Sequence, residues 1–260
     1  MISSHHKAHV FKKFLKLITY LIGCSALTLS CLVFANSSAL FSDESLDMYD
    51  APKLIEEGRY KEAKAILIKE EKSITDLSRL CSIYSYMLGI SSITENKSEG
   101  AKYAELFQKC YSVDSDPYVF LGVMTLYFKG EYEKAERITD KLLNKVSGEL
   151  IKGGKSDAKI FMDKNLVSSM YRLKAFIILS RDEPQKMKYT VVSFAEKSYE
   201  VTPFGDAEAF LAAIYQLYGE TNLSKSLLEK SDGRTSEAHA ADVILNSLKQ
   251  KVNNAPGLSQ

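Results

Sequence analysis

The chain has 260 residues, of which 45% are hydrophobic and 26% are charged. This composition is typical of a folded protein of one or two domains and argues against intrinsic disorder. The net charge is +1, but residues 1–35 hold four lysines and no acidic residue, which leaves the rest of the chain at −3. A body of that charge is not expected to bind nucleic acid.

Residues 1–35 have the pattern of an export segment. A basic stretch precedes an apolar run over 17–34, and the sequence Val-Phe-Ala that ends at Ala35 fits the cleavage site of a signal peptide. The run is also close to the roughly 20 residues of a membrane-spanning helix, so an uncleaved anchor with its lysines in the cytoplasm fits as well. The sequence Leu-Ile-Gly-Cys that ends at Cys24 resembles the lipobox of bacterial lipoproteins, with Cys24 as the lipidated residue. All three interpretations predict an exported protein that is periplasmic or membrane-anchored and faces the exterior.

Two cysteines, Cys81 and Cys110, lie outside the leader. Each falls on the apolar stripe of a predicted helix, at a similar distance from the turn that joins the two helices. Packed helices bring inward-facing residues within disulfide range, and an oxidising compartment favours the bond. The alternative is a pair of reduced cysteines that fill the core.

From Leu46 onward, apolar residues recur at spacings of three and four, which predicts successive helices and no sheet. The segment 147–157 is the clearest predicted loop, and 251–260 is a predicted disordered tail. The predicted helices span 46–57, 59–71, 74–90, 98–112, 117–129, 131–147, 156–180, 185–201, 204–218, 221–230 and 235–250.

The domain organisation follows from these elements. Residues 1–35 form the signal or anchor, 36–45 a short linker and 46–250 a single helical domain. The fold class is all-α, with antiparallel helix hairpins of about 34–36 residues that stack because no hairpin buries its apolar face alone.

Two hairpins share the pattern Gly-x-Tyr-x-x-Ala, which begins at Gly58 and again at Gly130. With Leu121-Gly122 and the closing proline Pro203, this pattern resembles the tetratricopeptide repeat. Gly219 follows Gly130 by 89 residues, which is not a multiple of such a unit, so we expect an insertion near 148–156 and in the helix after it.

The resemblance implies a binding surface, because the first helices of such repeats line a concave face that binds peptides. It gives five candidate ligand-binding residues, which would supply apolar anchors with polar tips. An aromatic residue at helical spacing is also often a core residue. The candidates are Phe120, Met124, Tyr127, Phe128 and Tyr215.

No motif for catalysis or cofactor binding is evident. His239 is the only histidine outside the leader, so neither a histidine-based triad nor a histidine-rich metal site is expected. The sequence from Gly148 to Ser156 ends like a phosphate-binding loop, but its glycine spacing is one residue too long and a helix precedes it. We therefore predict no catalytic residue, no metal site and no cofactor.

The sequence favours an exported helical-repeat scaffold that binds a protein or peptide partner, with possible membrane attachment through the leader. One alternative is an all-helical enzyme acting on envelope polymers, with paired acidic residues in a cleft. Another is a lipidated factor for assembly of a pilus or secretin, which depends on lipidation of Cys24.

Overall fold

All regular secondary structure is helical within residues 46–182, 185–229 and 235–253, which the computed structural model describes. The leader with Cys24, the linker and residues 254–260 lie outside this part of the chain. In chain order the helices are α1 (Leu46–Glu56), α2 (Tyr60–Ser73), α3 (Leu77–Ile93), α4 (Lys97–Gln108), α5 (Asp116–Phe128), α6 (Tyr132–Lys152), α7 (Asp157–Arg181), α8 (Lys188–Val201), α9 (Asp206–Leu217), α10 (Thr221–Glu229) and α11 (Thr235–Asn253).

The all-helical prediction is confirmed, with each helix within a few residues of its predicted bounds. Four helices start as expected of their sequence, because a short polar side chain at the N-cap accepts a hydrogen bond from the backbone N–H three residues later. These caps are Asp76 on α3, Asn96 on α4, Ser115 on α5 and Ser156 on α7.

The predicted loop at 147–157 is wrong over its first half. Helix α6 continues to Lys152, because Val146 and Leu150 keep the four-residue apolar spacing and face the core. The connection to α7 is only the four residues 153–156, with Gly153 and Gly154 at φ +70° and +79°. The irregularity expected near 148–156 therefore lies in two long helices, of 21 and 25 residues, rather than in a loop. Residues 251–253 of the predicted tail are also helical, as part of α11.

Each helix from α1 to α9 packs against the next one in the chain. The larger contacts that skip at least one helix join only odd-numbered helices, namely α5 with α7, α7 with α9, α9 with α11, and α11 with α7 and α3. Helices α3, α5, α7, α9 and α11 therefore form an inner group, within which the last helix, α11, contacts α3. Between α11 and α3, Ser247 Oγ donates a hydrogen bond of 3.0 Å to Glu95 Oε1.

The turn between paired helices has the same geometry four times. One residue takes a positive φ, and the N–H of the following residue donates to the carbonyl five residues earlier, at 2.8–3.0 Å. This bond satisfies a carbonyl at the helix end, as in a Schellman motif. A small buried residue follows five positions after each positive-φ residue and lets the two helices approach closely. The four pairs are Gly58 and Ala63, Glu95 and Gly100, Gly130 and Ala135, and Gly219 and Ser224.

The turn at Glu95 is the copy that the sequence pattern does not reveal. There a glutamate takes the left-handed position, at φ +57°, and a glycine takes the place of the small residue. A Cβ atom on Gly100 would lie 2.5 Å from the ring of Phe128 on α5, so α4 and α5 pack more closely here than an alanine allows. Positions 58, 95 and 130 then define a repeat of 35–37 residues.

Candidate ligand-binding cleft

The structure places four of the five candidate ligand-binding residues in the core. Phe120 and Met124 on α5 are 1% and 0% exposed, and Tyr127 and Phe128 are 6% exposed. Tyr127 Oη lies 3.2 Å from Ser180 Oγ on α7, so its polar tip is used within the fold. These side chains are not available to a ligand in this conformation.

The fifth candidate, Tyr215 on α9, is half-buried. Its hydroxyl donates a hydrogen bond of 3.0 Å to Glu196 Oε1 on α8. Burial, and next the hydrogen bond with Glu196, raise the pKa of Tyr215 to about 12. The structure therefore does not bring Tyr215 together with the four residues of α5 at one surface.

The burial of α5 has a cause that its sequence displays. The segment from Asp116 to Phe128 is apolar around its whole circumference, and a helix of that kind is enclosed on all sides. Helices α3, α7 and α9 are also mostly buried, and α11 contacts all three. A wide concave groove along the odd-numbered helices is thus closed where α11 lies.

A cleft of about 450 Å³ opens elsewhere, at the turn between α4 and α5, and we call it the α4–α5 cleft. Its size is within the range of small-molecule and side-chain binding pockets, about 300–1,000 Å³. The turn supplies one wall, α6 a second and α7 the third. The lining residues are Cys110, Tyr111, Ser112, Asp114, Ser115, Asp116, Pro117, Lys145, Lys159, Met162, Asp163 and Leu166.

Local sequence explains the shape of the turn. Asp114 adopts φ +67°, a conformation that aspartate tolerates better than most residues. Ser115 then caps α5 by accepting a hydrogen bond from Tyr118 N, and Pro117 fits the first helical turn because no amide donor is needed there. Ser112 and Val113 are left exposed between the two helices.

A disulfide ties this wall to the core. Cys81 on α3 is bonded to Cys110 at the end of α4, with a Cα–Cα distance of 6.0 Å, as the sequence predicted. Next to it, the rings of Phe107 and Tyr111 pack edge to face at 5.7 Å. The bond and the ring contact hold the cleft side of the turn against the buried layer.

Ion pairs connect the walls of the cleft to one another. Lys145 Nζ on α6 donates to Asp116 Oδ1 at 2.7 Å. Asp163 on α7 is 1% exposed and accepts from Lys155 and Lys159, each at 2.6 Å. The hydrogen bond to Asp116 raises the pKa of Lys145, and the hydrogen bond to Asp163 raises that of Lys155.

The sequence that ends like a phosphate-binding loop forms the end of α6 and the turn after it. Lys155 of this segment binds the carboxylates of Asp163 and Glu149, the latter at 2.8 Å. Its contact with Lys155 lowers the pKa of Glu149. The segment therefore stabilises the cleft wall through carboxylates of its own chain.

Other site types have little support among the residues described. These residues contain no group of three or more histidine, cysteine, aspartate or glutamate side chains placed to bind a metal ion. None of the helices in the described ranges is both long and apolar enough to cross a bilayer. His239 lies in α11, but its side chain is outside the part of the structure described.

Comparison with known proteins gives no assignment: no protein-family model, no curated protein and no solved structure shows a significant match to this chain. Over the described residues, the fold and cleft define an all-helical protein of paired helices, with a disulfide beside an open cleft lined by both apolar and polar residues.

Proposed function

We propose that this chain is an exported helical-repeat protein of the tetratricopeptide type, which binds a segment of a protein or peptide partner and performs no chemistry itself. The observation that carries the proposal is the α4–α5 cleft, an open site whose charged walls are already ordered by ion pairs. Binding to ordered walls loses little side-chain entropy, which is the physical advantage of a preformed site.

The four matching turns support the repeat type. Their spacing of 35–37 residues over positions 58, 95 and 130 is that of a helix-hairpin repeat. The long helices α6 and α7 interrupt the regular stack, which is why Gly219 falls out of phase with the earlier turns.

Two features support export. The leader has the pattern of a signal or anchor, and the Cys81–Cys110 disulfide is of the kind that persists in an oxidising compartment. We therefore place the helical domain in the periplasm or on the outer face of a membrane. A cleaved signal, an uncleaved anchor and a lipoprotein differ in their mature N-terminus, so mass spectrometry of the native protein distinguishes them.

The proposed site differs from the concave face that the repeat resemblance implies. The cleft combines apolar surface from Met162 and Leu166 with the polar groups of Ser112 and Asp114. Such a lining suits a short peptide segment that presents one apolar side chain and several backbone polar groups.

A peptide-display screen tests the proposal, with the full-length chain in mild detergent as the bait. Peptides selected by the wild type should lose at least about tenfold in affinity, or 1.4 kcal/mol, for Ser112→Trp, which places a large side chain at the cleft. The matched control is Ser226→Trp on exposed α10, which should bind as the wild type does. Equal binding by both variants would show that the peptides bind elsewhere.

The enzyme alternative is kept because three aspartates, Asp114, Asp116 and Asp163, lie at the cleft. Asp116 and Asp163 are already ion-paired with lysines, an arrangement that stabilises the fold. Hydrolysis of peptidoglycan or another envelope polymer, abolished by Asp114→Asn or Asp116→Asn in a folded protein, would replace the binding proposal with the enzyme. The assembly-factor alternative requires a lipid on Cys24, which the N-terminal mass measures.

A further inference from the structure

The two cysteines of the disulfide differ in their exposure to solvent. Cys81 is 2% exposed and belongs to the main apolar core. Cys110 is half-buried and lines the α4–α5 cleft. A small molecule in the cleft therefore meets the disulfide from the Cys110 side.

We propose that Cys110 is a thiol-exchange site: a small thiol that enters the α4–α5 cleft attacks Cys110 Sγ, and this exchange releases the cleft wall. The inference concerns the disulfide itself and does not depend on the proposed peptide ligand. Its occupant is a low-molecular-weight thiol such as glutathione, which also acts as the reductant.

The exchange has two steps. In the first, the thiolate forms a bond to Cys110 Sγ as the Cys81–Cys110 bond breaks, and Cys81 leaves as a thiolate that takes up a proton. In the second, another thiolate attacks the sulfur of the attached small thiol, releases Cys110 as a thiol and forms the oxidised small disulfide. The protein disulfide gains two electrons, and two small thiols lose one each.

The burial of Cys81 affects the rate and the reversibility of exchange. Apolar surroundings disfavour a thiolate, so Cys81 is a poor leaving group, and the fold holds it beside Cys110, where it attacks the mixed disulfide intramolecularly and restores the original bond. Net reduction therefore needs excess thiol. A dithiol, whose second sulfur captures the mixed disulfide, should be more effective at equal concentration.

Reduction should loosen the wall of the cleft. The disulfide links α3 to the end of α4, directly before residues 111–115, of which three are exposed. Without the bond, this turn keeps non-covalent contacts that include the ring contact of Tyr111 with Phe107, the Ser115 cap and the hydrogen bond from Gln108 Nε2 to the Tyr118 carbonyl.

Single-cysteine variants test the site of exchange. In a full-length background with Cys24→Ser and Cys31→Ser, Cys81→Ser leaves only the Cys110 thiol, and Cys110→Ser leaves only the Cys81 thiol. Both lack the same disulfide, so each is the other's control for stability, with folding verified by circular dichroism. An aromatic disulfide reagent should modify Cys110 at least about tenfold faster than Cys81, because access controls the rate. Equal rates, or faster modification of Cys81, would overturn the assignment.

A second measurement tests the route through the cleft in the intact disulfide form. Reduction by glutathione should be slower for Ser112→Trp than for the matched Ser226→Trp, since only the first variant obstructs the cleft. Hydrogen exchange should then show faster exchange over 109–115 in the reduced protein and unchanged exchange in α8–α10. Equal reduction rates would contradict entry through the cleft, and unchanged exchange at 109–115 would contradict release of the wall.

Discussion

The first five helices and the long hairpin of α6 and α7 are stabilised in different ways. Helices α1–α5 contain two turns of one geometry, at Gly58 and Glu95, close helix approach at Ala63 and Gly100, and a disulfide. Helices α6 and α7 have a glycine turn without that geometry and a series of ion pairs along their length. These pairs join Glu136 with Arg181, Asp140 with Lys174, and both Glu149 and Asp163 with Lys155.

The difference indicates a division of roles at the α4–α5 cleft. One wall is the turn after α4, held by the disulfide and by the Asp116–Lys145 pair, and the opposite walls belong to the long hairpin, held by ion pairs. Reducing conditions should therefore affect the first wall, whereas salt should weaken the ion pairs of all three. Perturbing each part separately tests this division.

The largest expected effect is that of removing the disulfide. The Cys81→Ser/Cys110→Ser double variant should lose about 3–4 kcal/mol of unfolding free energy, because the bond closes a loop over a sequence separation of 29 residues. Urea denaturation of this variant and of the oxidised wild type measures the difference. Wild type reduced by excess dithiol should match the double variant, and a loss below about 1 kcal/mol would show that the bond adds little to the stability of this region.

The next effect compares the two regions by making the same substitution, glycine to alanine inside a helix, in each of them. Gly100→Ala in α4 should cost about 1–3 kcal/mol, because the new methyl group meets the buried ring of Phe128 at 2.5 Å. Gly148→Ala in α6 has nothing within 4 Å of its new Cβ, so the better helix propensity should stabilise by about 0.5–1 kcal/mol. Opposite signs in thermal melts would confirm the close packing at α4. Stabilisation by both substitutions would contradict it.

These two glycines also show how far the sequence determines the fold. The helices follow from apolar spacing, and the turns at Gly58 and Gly130 from a motif. The sequence pattern misses the turn at Glu95. This turn geometry needs a residue at positive φ and a small residue five positions later, and here glutamate and glycine take the places that glycine and alanine hold at the other two turns. Gly148 contributes to the wrong loop prediction, because glycine has a low helix propensity. Inside the long helix α6, tertiary packing outweighs that low propensity.

The candidate site was less predictable than the fold. The disulfide follows from two cysteines on facing apolar stripes. The aromatic residues of α5 lack a ligand-facing surface because the whole helix is apolar, a signal already present in the sequence. The cleft itself depends on Asp116, Lys145 and Asp163, which line it from three helices, and the pairing of Asp116 with Lys145 across 29 residues has no local sequence signature.

The smallest expected effect compares two tyrosines that donate to glutamates, one within the first five helices and one beyond the long hairpin. Tyr103 on α4 donates to Glu71 at 3.2 Å, and Tyr215 on α9 donates to Glu196 at 3.0 Å. Burial, and secondarily the glutamate beside each hydroxyl, raise the pKa of Tyr215 to about 12 and place that of Tyr103 higher still. Because the folded pKa values are raised, both contributions are complete below the ordinary tyrosine value, about 10, and are lost as the pH rises through the folded values.

Tyr103→Phe and Tyr215→Phe should each cost about 1 kcal/mol near pH 8, through the lost hydrogen bond. Between pH 10 and 12, the unfolding free energy of both variants should fall less steeply than that of the wild type, with the greater difference for the more buried Tyr103. Urea unfolding across this pH series measures both slopes. If the variants and the wild type lose stability in parallel, these hydroxyls titrate alike in the folded and unfolded chain. If the pH dependence of the unfolding free energy is reduced more by Tyr215→Phe than by Tyr103→Phe, the Tyr215 hydroxyl is the more strongly desolvated of the two. That result would reverse the order that the burial of Tyr103 predicts.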